Sequence, residues 1–445
     1  ERTLWDYLDY HDLTSVVVNA PVTHPPRPID GAVVPGYLAP EDPTCHPEGI
    51  LDDIRAEIGD YRVYARRETD ERVDDQAKFE EYLALTHMRG EAFRYLAERF
   101  DPDFGFVQFQ KTDAVFHDFP GDDAKVRSVY EAVDEEVSAT LDDCDPDTVV
   151  VASDHGIGPY DGYEFRANEH LRRADVVETS QGGDVPSWFQ IKDEQLVEGD
   201  GGGAAGSGAL ERLARLAGRA GLTYQRGKAV LERLGLADVV GRHVPVSAVF
   251  AASESVDYAA STAYLRSPSE LGVRMNVADR DPEGVVPKSG YDDVRDSLME
   301  RLRTVETPEG DPVFEDVLPR EEAFEGPEAD RAVDIVTVPR DFEHSLSALV
   351  GDEFADPEPY NHKLEGIVSI SGDDIEGAEL NGAHLFDVAP TVLASLGLPA
   401  DERMDGEALI GGETRETYPV FDRGNLAGTG DEAVEERLAD LGYLE

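Results

Sequence analysis

The chain has 445 residues, of which 40% are hydrophobic, so it can bury a substantial core and is not a disordered protein. Asp and Glu outnumber Lys and Arg by 95 to 40, and the resulting net charge of −55 is spread along the whole chain. This composition excludes a broad basic face for nucleic acid. Dispersed acid with few lysines indicates adaptation to high salt, because screening weakens repulsion between like charges.

The predicted elements alternate between helices and strands. In chain order they are a short helix around 4–8, a strand at 15–20, helices at 51–58 and 75–100, a strand at 104–109, a helix at 124–141, a strand at 148–153, a helix at 209–236, strands at 332–338 and 366–371, and a helix at 386–396. The stretch EGDGGGAAGSGA at 198–209 predicts a flexible linker or loop. Strands separated by helices are typical of parallel βαβ units, and we therefore predict an α/β fold. Residues 1–180 and 311–445 would form its core, and residues 181–310 an insertion or cap.

Two features of the composition bear on location. The only cysteines, Cys45 and Cys144, are too few for a disulfide scaffold, which favours a reducing interior and a cytoplasmic protein. No run of about 18 apolar residues is present, so we expect no transmembrane helix. An export signal in a segment preceding this chain is the alternative left open, because the chain opens on Glu1 rather than Met.

Asp154 and His155 follow an apolar strand directly, in the sequence SDHGIGP. The carboxyl ends of strands are where α/β sheets bind ligands, and a carboxylate beside an imidazole suits zinc or manganese. Gly156 and Gly158 would give the backbone room to turn away. The alternative interpretation is a strand-ending turn with an Asp cap and a surface His, and this motif alone does not decide between them.

Asp113 and His117 stand four residues apart in TDAVFH, just past another apolar strand. One turn of helix would place both side chains on one face, where they could hold a metal. For this motif alone, an Asp cap followed by an exposed His is the more frequent arrangement. Two such motifs, each after its own strand, together favour a shared metal site.

A further ligand is needed, because two residues hold a metal poorly. His362, in NHKLEGIVSISG, lies in a predicted loop that leads into an apolar strand, with Gly366 marking a close approach. His384 is the alternative, in NGAHLFDVAPT, where Asp387 and Pro390 are expected to start a helix.

Three polar residues, Arg166, Asn168 and Arg274, could contact a phosphate or ribose, because guanidinium groups suit phosphate oxygens. The alternative for each of them is a structural role, as a surface Arg or a turn Asn.

These motifs, taken in order, resemble the type I phosphodiesterase/nucleotide pyrophosphatase branch of the alkaline phosphatase superfamily. The similar segments are TLWDYL with the following VVVNAPVTHPPRPIDGAVVPGYLAP, KTDAVFH, SDHGIGP, NHKLEGIVSISG and FDVAPTVLASLGLPADERMDGEAL. The resemblance covers nearly the whole chain. It implies an alkaline-phosphatase-like α/β/α sandwich, with a largely parallel central sheet and an inserted cap.

The resemblance also implies a site with two divalent metal ions, zinc or manganese. Asp113, His117 and His362 would hold one ion, and Asp154 and His155 the other. The implied activity is two-metal, in-line hydrolysis of phosphodiester or nucleotide pyrophosphate bonds in a small-molecule substrate.

The family's catalytic Ser or Thr, and one further Asp ligand, precede the segment that begins here at Thr3. We therefore expect the nucleophile to lie outside this chain, which alone would bind one metal competently and the second poorly. The alternatives are a phosphomonoesterase or phosphoglycerate mutase-like enzyme, and a non-catalytic, metal-stabilised binding protein. The sequence does not predict the oligomeric state.

Overall fold

The computed structural model describes residues 2–65, 74–181, 254–372, 375, 380, 382–412 and 414–419. The predicted linker at 198–209 and helix at 209–236 lie outside these residues. Within the described part of the chain, no helix is both long and apolar enough to cross a membrane. Cys45, which is buried, and Cys144, which is exposed, are both free.

The described α-helices are α1 (Leu4–Tyr10), α2 (Ile50–Ile58), α3 (Asp75–Phe100), α4 (Lys111–Asp118), α5 (Asp123–Cys144), α6 (Ala167–Arg172), α7 (Tyr291–Arg303), α8 (Arg320–Ala323) and α9 (Val388–Ser395). The described strands are β1 (Ser15–Ala20), β2 (Gly31–Pro35), β3 (Phe104–Val107), β4 (Thr148–Ala152), β5 (Gly156–Pro159), β6 (Glu164–Arg166), β7 (Glu178–Gln181), β8 (Glu254–Asp257), β9 (Ala263–Tyr264), β10 (Gly272–Met275), β11 (Phe314–Pro319), β12 (Ile335–Pro339), β13 (Ser345–Ser347), β14 (Phe354–Ala355), β15 (Tyr360–Lys363), β16 (Val368–Gly372), β17 (Ala400–Asp401) and β18 (Arg415–Glu416). The predicted α/β class is confirmed.

The described residues form two compact units. One comprises the residues up to Gly158 and those from Tyr360 onward, and the other comprises Pro159–Pro359. The domain limits at 180 and 310 stay predictions, and the compact units divide the chain elsewhere. The reason is that β11 and β12 join β10 in one sheet, which keeps them in the second unit.

A parallel sheet lies at the centre of the first unit. Strand β1 pairs in parallel with β2 on one side and β3 on the other, with Val17 opposite Val33 and Phe106. Every residue of β1 is buried. Val16 and Val18 face a cluster that includes Ile54 of α2, whereas Val17 faces the opposite cluster. Burial on both faces explains why this strand is a continuous apolar run.

Strand β4 departs from the parallel pattern that the sequence predicts. Its partner is β16, and the two run antiparallel, with Val150 opposite Ile370. Its residues are half-buried or exposed, and Val151 is 42% exposed. The apolar run therefore predicts the strand correctly but not its antiparallel pairing, because the partner strand lies more than 200 positions away in the sequence.

The carboxyl-terminal motif packs on the first helix of the chain. Tyr7 and Leu8 of α1 share a buried cluster with Leu393 of α9 and with Ala400. The Tyr7 hydroxyl donates to the buried Asp401 carboxylate at 3.1 Å. Two ends of the sequence that lie almost 400 residues apart therefore close one core.

The second unit contains an antiparallel sheet with the strand order β11-β12-β10-β9, a three-stranded sheet with the order β13-β6-β14, and helix α7. Leu298 and Leu302 of α7 pack into its core with Met275 and Ile335.

Candidate metal site

Helix α4 presents Asp113 and His117 on one face. The helix begins at Lys111 and its N-cap residue is Gln110, so the alternative in which Asp113 caps the helix is wrong. The 3.6-residue period brings His117 Nε2 to 3.2 Å from Asp113 Oδ1. The Asp–His pair predicted from the sequence is thus formed within a single helical turn.

Strand pairing brings His155 and His362 together. His155 immediately precedes β5, and β5 pairs with β15, which contains His362. The predicted loop around His362 is therefore wrong, because this residue lies in a strand. The two imidazole rings stack with centroids 3.8 Å apart and planes 25° apart.

Two glycines allow the backbone segments around these histidines to approach closely. A Cβ on Gly156 would lie 1.9 Å from the carbonyl oxygen of Glu365, and one on Gly366 would lie 2.3 Å from Ser153 Oγ. Ser153 Oγ accepts a hydrogen bond of 2.8 Å from the backbone N–H of Ile367. The segment after β15 is therefore held against the end of β4, and the close approach predicted at Gly366 is present.

Three ligand atoms from these elements form a small triangle. Asp113 Oδ1 lies 3.2 Å from His117 Nε2 and 3.5 Å from His362 Nε2, and the two nitrogens are 3.3 Å apart. Ligands at zinc-ligand distances around one tetrahedral ion lie about 3.4 Å from each other. Asp113, His155 and His362 also offer atoms that all lie within 4.8 Å of one another. The arrangement therefore fits a divalent metal.

The state of Asp113 suits a metal ligand. Its Oδ1 is buried and receives no well-aligned hydrogen bond within the protein. Burial raises the pKa of this carboxyl, but His117 and His362 outweigh burial and hold the pKa well below its ordinary value. The group is thus an anion with an unsatisfied buried oxygen, which a cation would satisfy.

Asp154 and His155 form a more open pair. The Asp154 side chain is 65% exposed, and its Oδ1 lies 3.7 Å from His155 Nε2. His155 Nδ1 is 2.9 Å from the carbonyl oxygen of Gly156. A proton on Nδ1 would donate to that carbonyl and leave the Nε2 lone pair for a metal.

The sequence of this chain matches the model of a known protein family. The model for type I phosphodiesterase / nucleotide pyrophosphatase matches residues 1–347. The chain belongs to this family. The matched residues include Asp113, His117, Asp154 and His155, whereas His362 lies beyond them and is brought to the site by strand pairing.

Structures of a phosphonoacetate hydrolase from Sinorhizobium meliloti 1021, in complex with phosphonoacetate and with phosphonoformate, are similar to this phosphodiesterase-family chain at 17% identity. The similarity covers 65% of this chain and 51% of the hydrolase, with a TM-score of 0.30. This chain therefore spans about half the length of that hydrolase. No curated protein sequence matches the chain.

His384, the alternative ligand, has a different role in this phosphodiesterase-family chain. Its Nδ1 accepts a hydrogen bond of 3.2 Å from the backbone N–H of Phe386. The Asp387 carboxylate in turn accepts from the backbone N–H of His384 at 2.7 Å. Asp387 stands at the N-cap of α9 as predicted, but its carboxylate accepts from the backbone N–H groups of His384 and Glu407 rather than capping that helix.

The three predicted substrate contacts all belong to the second unit, where other groups hold them. Arg166 pairs with Glu164 at 2.8 Å. Asn168 is fully buried, and its amide donates to two carbonyls and accepts from the Leu265 N–H. Arg274 is buried against Asp281 at 2.6 Å. Their binding of substrate stays a prediction, and these contacts favour structural roles instead.

Two tyrosines near the metal site were missed by the sequence analysis. Tyr360 precedes His362 by two residues on β15, and its ring lies 5.6 Å from that of Phe116 on α4. Period-two alternation would have placed it on the face of His362. Tyr130 lies 6.4 Å from Phe116 on the other side, and burial, together with the charge of Asp113, raises its pKa. No sequence signal distinguishes Tyr130 from an ordinary residue of an amphipathic helix.

Proposed function

We propose that this chain is a metal-dependent phosphoester hydrolase that acts on phosphodiester or nucleotide pyrophosphate bonds of small molecules. The observation that carries the proposal is the triangle of Asp113, His117 and His362, with edges of 3.2 to 3.5 Å around a buried, unsatisfied carboxylate oxygen. Membership of the phosphodiesterase family supports the same class of reaction.

Two divalent ions are proposed, with zinc as the first candidate and manganese as the alternative, because carboxylate and imidazole ligands suit both. Asp113, His117 and His362 would hold one ion, and Asp154 and His155 would contribute to holding the other. When bound, the ions would stabilise negative charge on the phosphoryl oxygens.

The protein groups have separate roles in this proposal. The Asp113 carboxylate would offset part of the charge of the first ion, and His117 and His362 would supply nitrogen ligands to it. The stacking of His155 on His362 would keep the two proposed ligand sets adjacent. His362 is 51% exposed and Asp154 is 65% exposed, so a small phosphoester can reach both from solvent.

No nucleophile is assigned among the described residues. The two hydroxyls next to the ligands in sequence are both engaged: Thr112 Oγ1 donates to the carbonyl of Phe109 at 2.9 Å, and Ser153 Oγ accepts from Ile367. We therefore propose that neither of these two hydroxyls is the nucleophile.

The experiment measures the rates at which the protein, loaded with zinc or manganese, hydrolyses bis(4-nitrophenyl) phosphate and 4-nitrophenyl phosphate. We expect the diester to be hydrolysed faster, and we expect chelation to abolish the reaction. Asp113→Asn should reduce the rate by at least roughly 100-fold, because it removes the charge that binds the first ion. Faster monoester hydrolysis would support a phosphomonoesterase instead, and metal binding without any hydrolysis would support the non-catalytic alternative.

A further inference from the structure

The second unit contains a cavity of about 780 Å³ whose lining is rich in cationic side chains and also contains four acidic ones. Six of its twelve lining residues are cationic, and we call it the arginine pocket after them: Arg266, Arg274, Arg280, Lys288, Arg320 and Arg331. In the whole chain, acidic residues outnumber basic ones by 95 to 40. The fraction of cationic residues in this lining is therefore much higher than in the chain as a whole.

Buried carboxylates fix the inner wall of the arginine pocket. Arg274 pairs with Asp281 at 2.6 Å, and Arg280 pairs with Asp334 at 2.6 Å. Asp334 is fully buried and also lies 3.4 Å from Arg320. Three guanidinium groups thus share two buried carboxylates, which holds them rigidly, and Arg320 also pairs at 3.1 Å with Asp330, which is 94% exposed.

The outer rim has weaker ion pairs. Lys288 is 64% exposed and lies 3.9 Å from Asp279, which is 84% exposed. Arg331 is 70% exposed and pairs with Glu328, which is 73% exposed. The acidic residues of the lining are Glu270, Asp279, Asp292 and Asp330. Exposed pairs of this kind contribute about 0–1 kcal/mol, so a multiply charged anion can compete for their cations.

The start of α7 adds to the positive character of the arginine pocket. The helix begins at Tyr291, which lines the cavity, and its N-cap residue Gly290 provides no side chain to cap the first N–H groups. The amino end of a helix carries partial positive charge, which Asp292 and Asp293 in its first turn offset in part.

We propose that the arginine pocket is a second ligand site, independent of the metal site, that binds a small molecule carrying phosphate groups. Guanidinium forks match the geometry of phosphate oxygens, and several of them converge here in fixed positions. The volume falls within the range of small-molecule sites. The proposal rests only on residues of the second unit, so it stands or fails separately from the proposed hydrolase activity.

The test is calorimetric titration of pyrophosphate into the metal-free protein with EDTA present, at constant ionic strength. We expect saturable binding of one pyrophosphate per chain. Lys288→Gln and Arg331→Gln should each weaken it roughly three- to tenfold, and the double variant more, because each removes a charged donor to phosphate. Both residues are exposed, so neither substitution disturbs the core.

Two control variants make the result specific. Arg301→Gln removes one charge from an exposed position of α7 that does not line the pocket, and binding should be unchanged. His362→Ala disables the metal site and should also leave binding unchanged. The proposal is overturned if pyrophosphate binding is not saturable, if the double variant binds as tightly as the parent, or if Arg301→Gln or His362→Ala weakens binding as much as Arg331→Gln.

Discussion

At the scale of single residues, the environment of Asp113 sets the character of the metal site. A buried carboxylate oxygen without a well-aligned hydrogen bond is costly unless a cation compensates it. Spacing in the sequence was sufficient to pair Asp113 with His117, because both lie on one helix. The sequence gives no such local rule for Tyr130, which reaches the neighbourhood of Asp113 only through the packing of α5 on α4.

A second residue, His344, links structure to pH. It is buried in the second unit, and its Nδ1 accepts a hydrogen bond of 3.0 Å from the backbone N–H of Tyr163. Burial lowers the pKa of His344 below its ordinary value of 6.5. The unfolded chain therefore takes up this proton more readily, and the stability that neutral His344 confers is complete above pH 6.5 and lost as the pH falls through the folded-state pKa.

We expect the free energy of unfolding to decrease between about pH 7 and pH 5, and part of this decrease to vanish in His344→Asn. Asparagine keeps an oxygen that can accept from Tyr163 but has no proton to gain. Urea unfolding at a series of pH values measures both proteins. Equal pH slopes for the parent and the variant would contradict the role assigned to His344.

At the scale of elements, the long helices of the first unit were predicted closely, whereas α7 and the strand pairings were not predicted. The helix predicted at 75–100 coincides with α3, because apolar spacing is a local property of the sequence. Strand β15 was missed because YNHK has no apolar alternation, and its formation depends on pairing with β5, about 200 residues earlier. The site thus combines one locally encoded element, α4, with one long-range pairing.

The close approach at Gly156 should be essential to this pairing. In Gly156→Ala the new Cβ meets the Glu365 carbonyl at 1.9 Å, so the backbone must shift. We expect a loss of about 1–3 kcal/mol in the free energy of unfolding, together with weaker metal binding. Gly412→Ala is the matched control, because a Cβ there meets nothing within 4 Å. Equal stability and metal affinity in the two variants would show that the close approach is unimportant.

At the scale of the whole molecule, the net charge of −55 should make stability depend on salt. Self-repulsion at this charge disfavours the compact state at low ionic strength, and salt shortens its range. Strands β11 and β12 join β10 in one sheet of the second unit, and no local pattern in the sequence reveals this pairing.

We expect the melting temperature to rise as KCl increases from about 0.1 M to about 3 M, since the screening length falls from about 10 Å to below 3 Å. Most of the rise should occur at the lower concentrations if screening is the cause, and NaCl should act equally. Thermal melts followed by circular dichroism provide the measurement. A melting temperature that is constant or falls with salt would contradict the interpretation of the charge as adaptation to high salt.

The central claim is that Asp113, His117 and His362 hold a divalent metal. Its most direct test is the metal content of this chain, counted by atomic emission after loading with zinc or manganese and exhaustive dialysis. We expect one tightly held ion at this site, lost in His362→Ala and retained in His384→Ala. A parent protein that retains no ion, or a His362→Ala variant that keeps all of its metal, would contradict this claim.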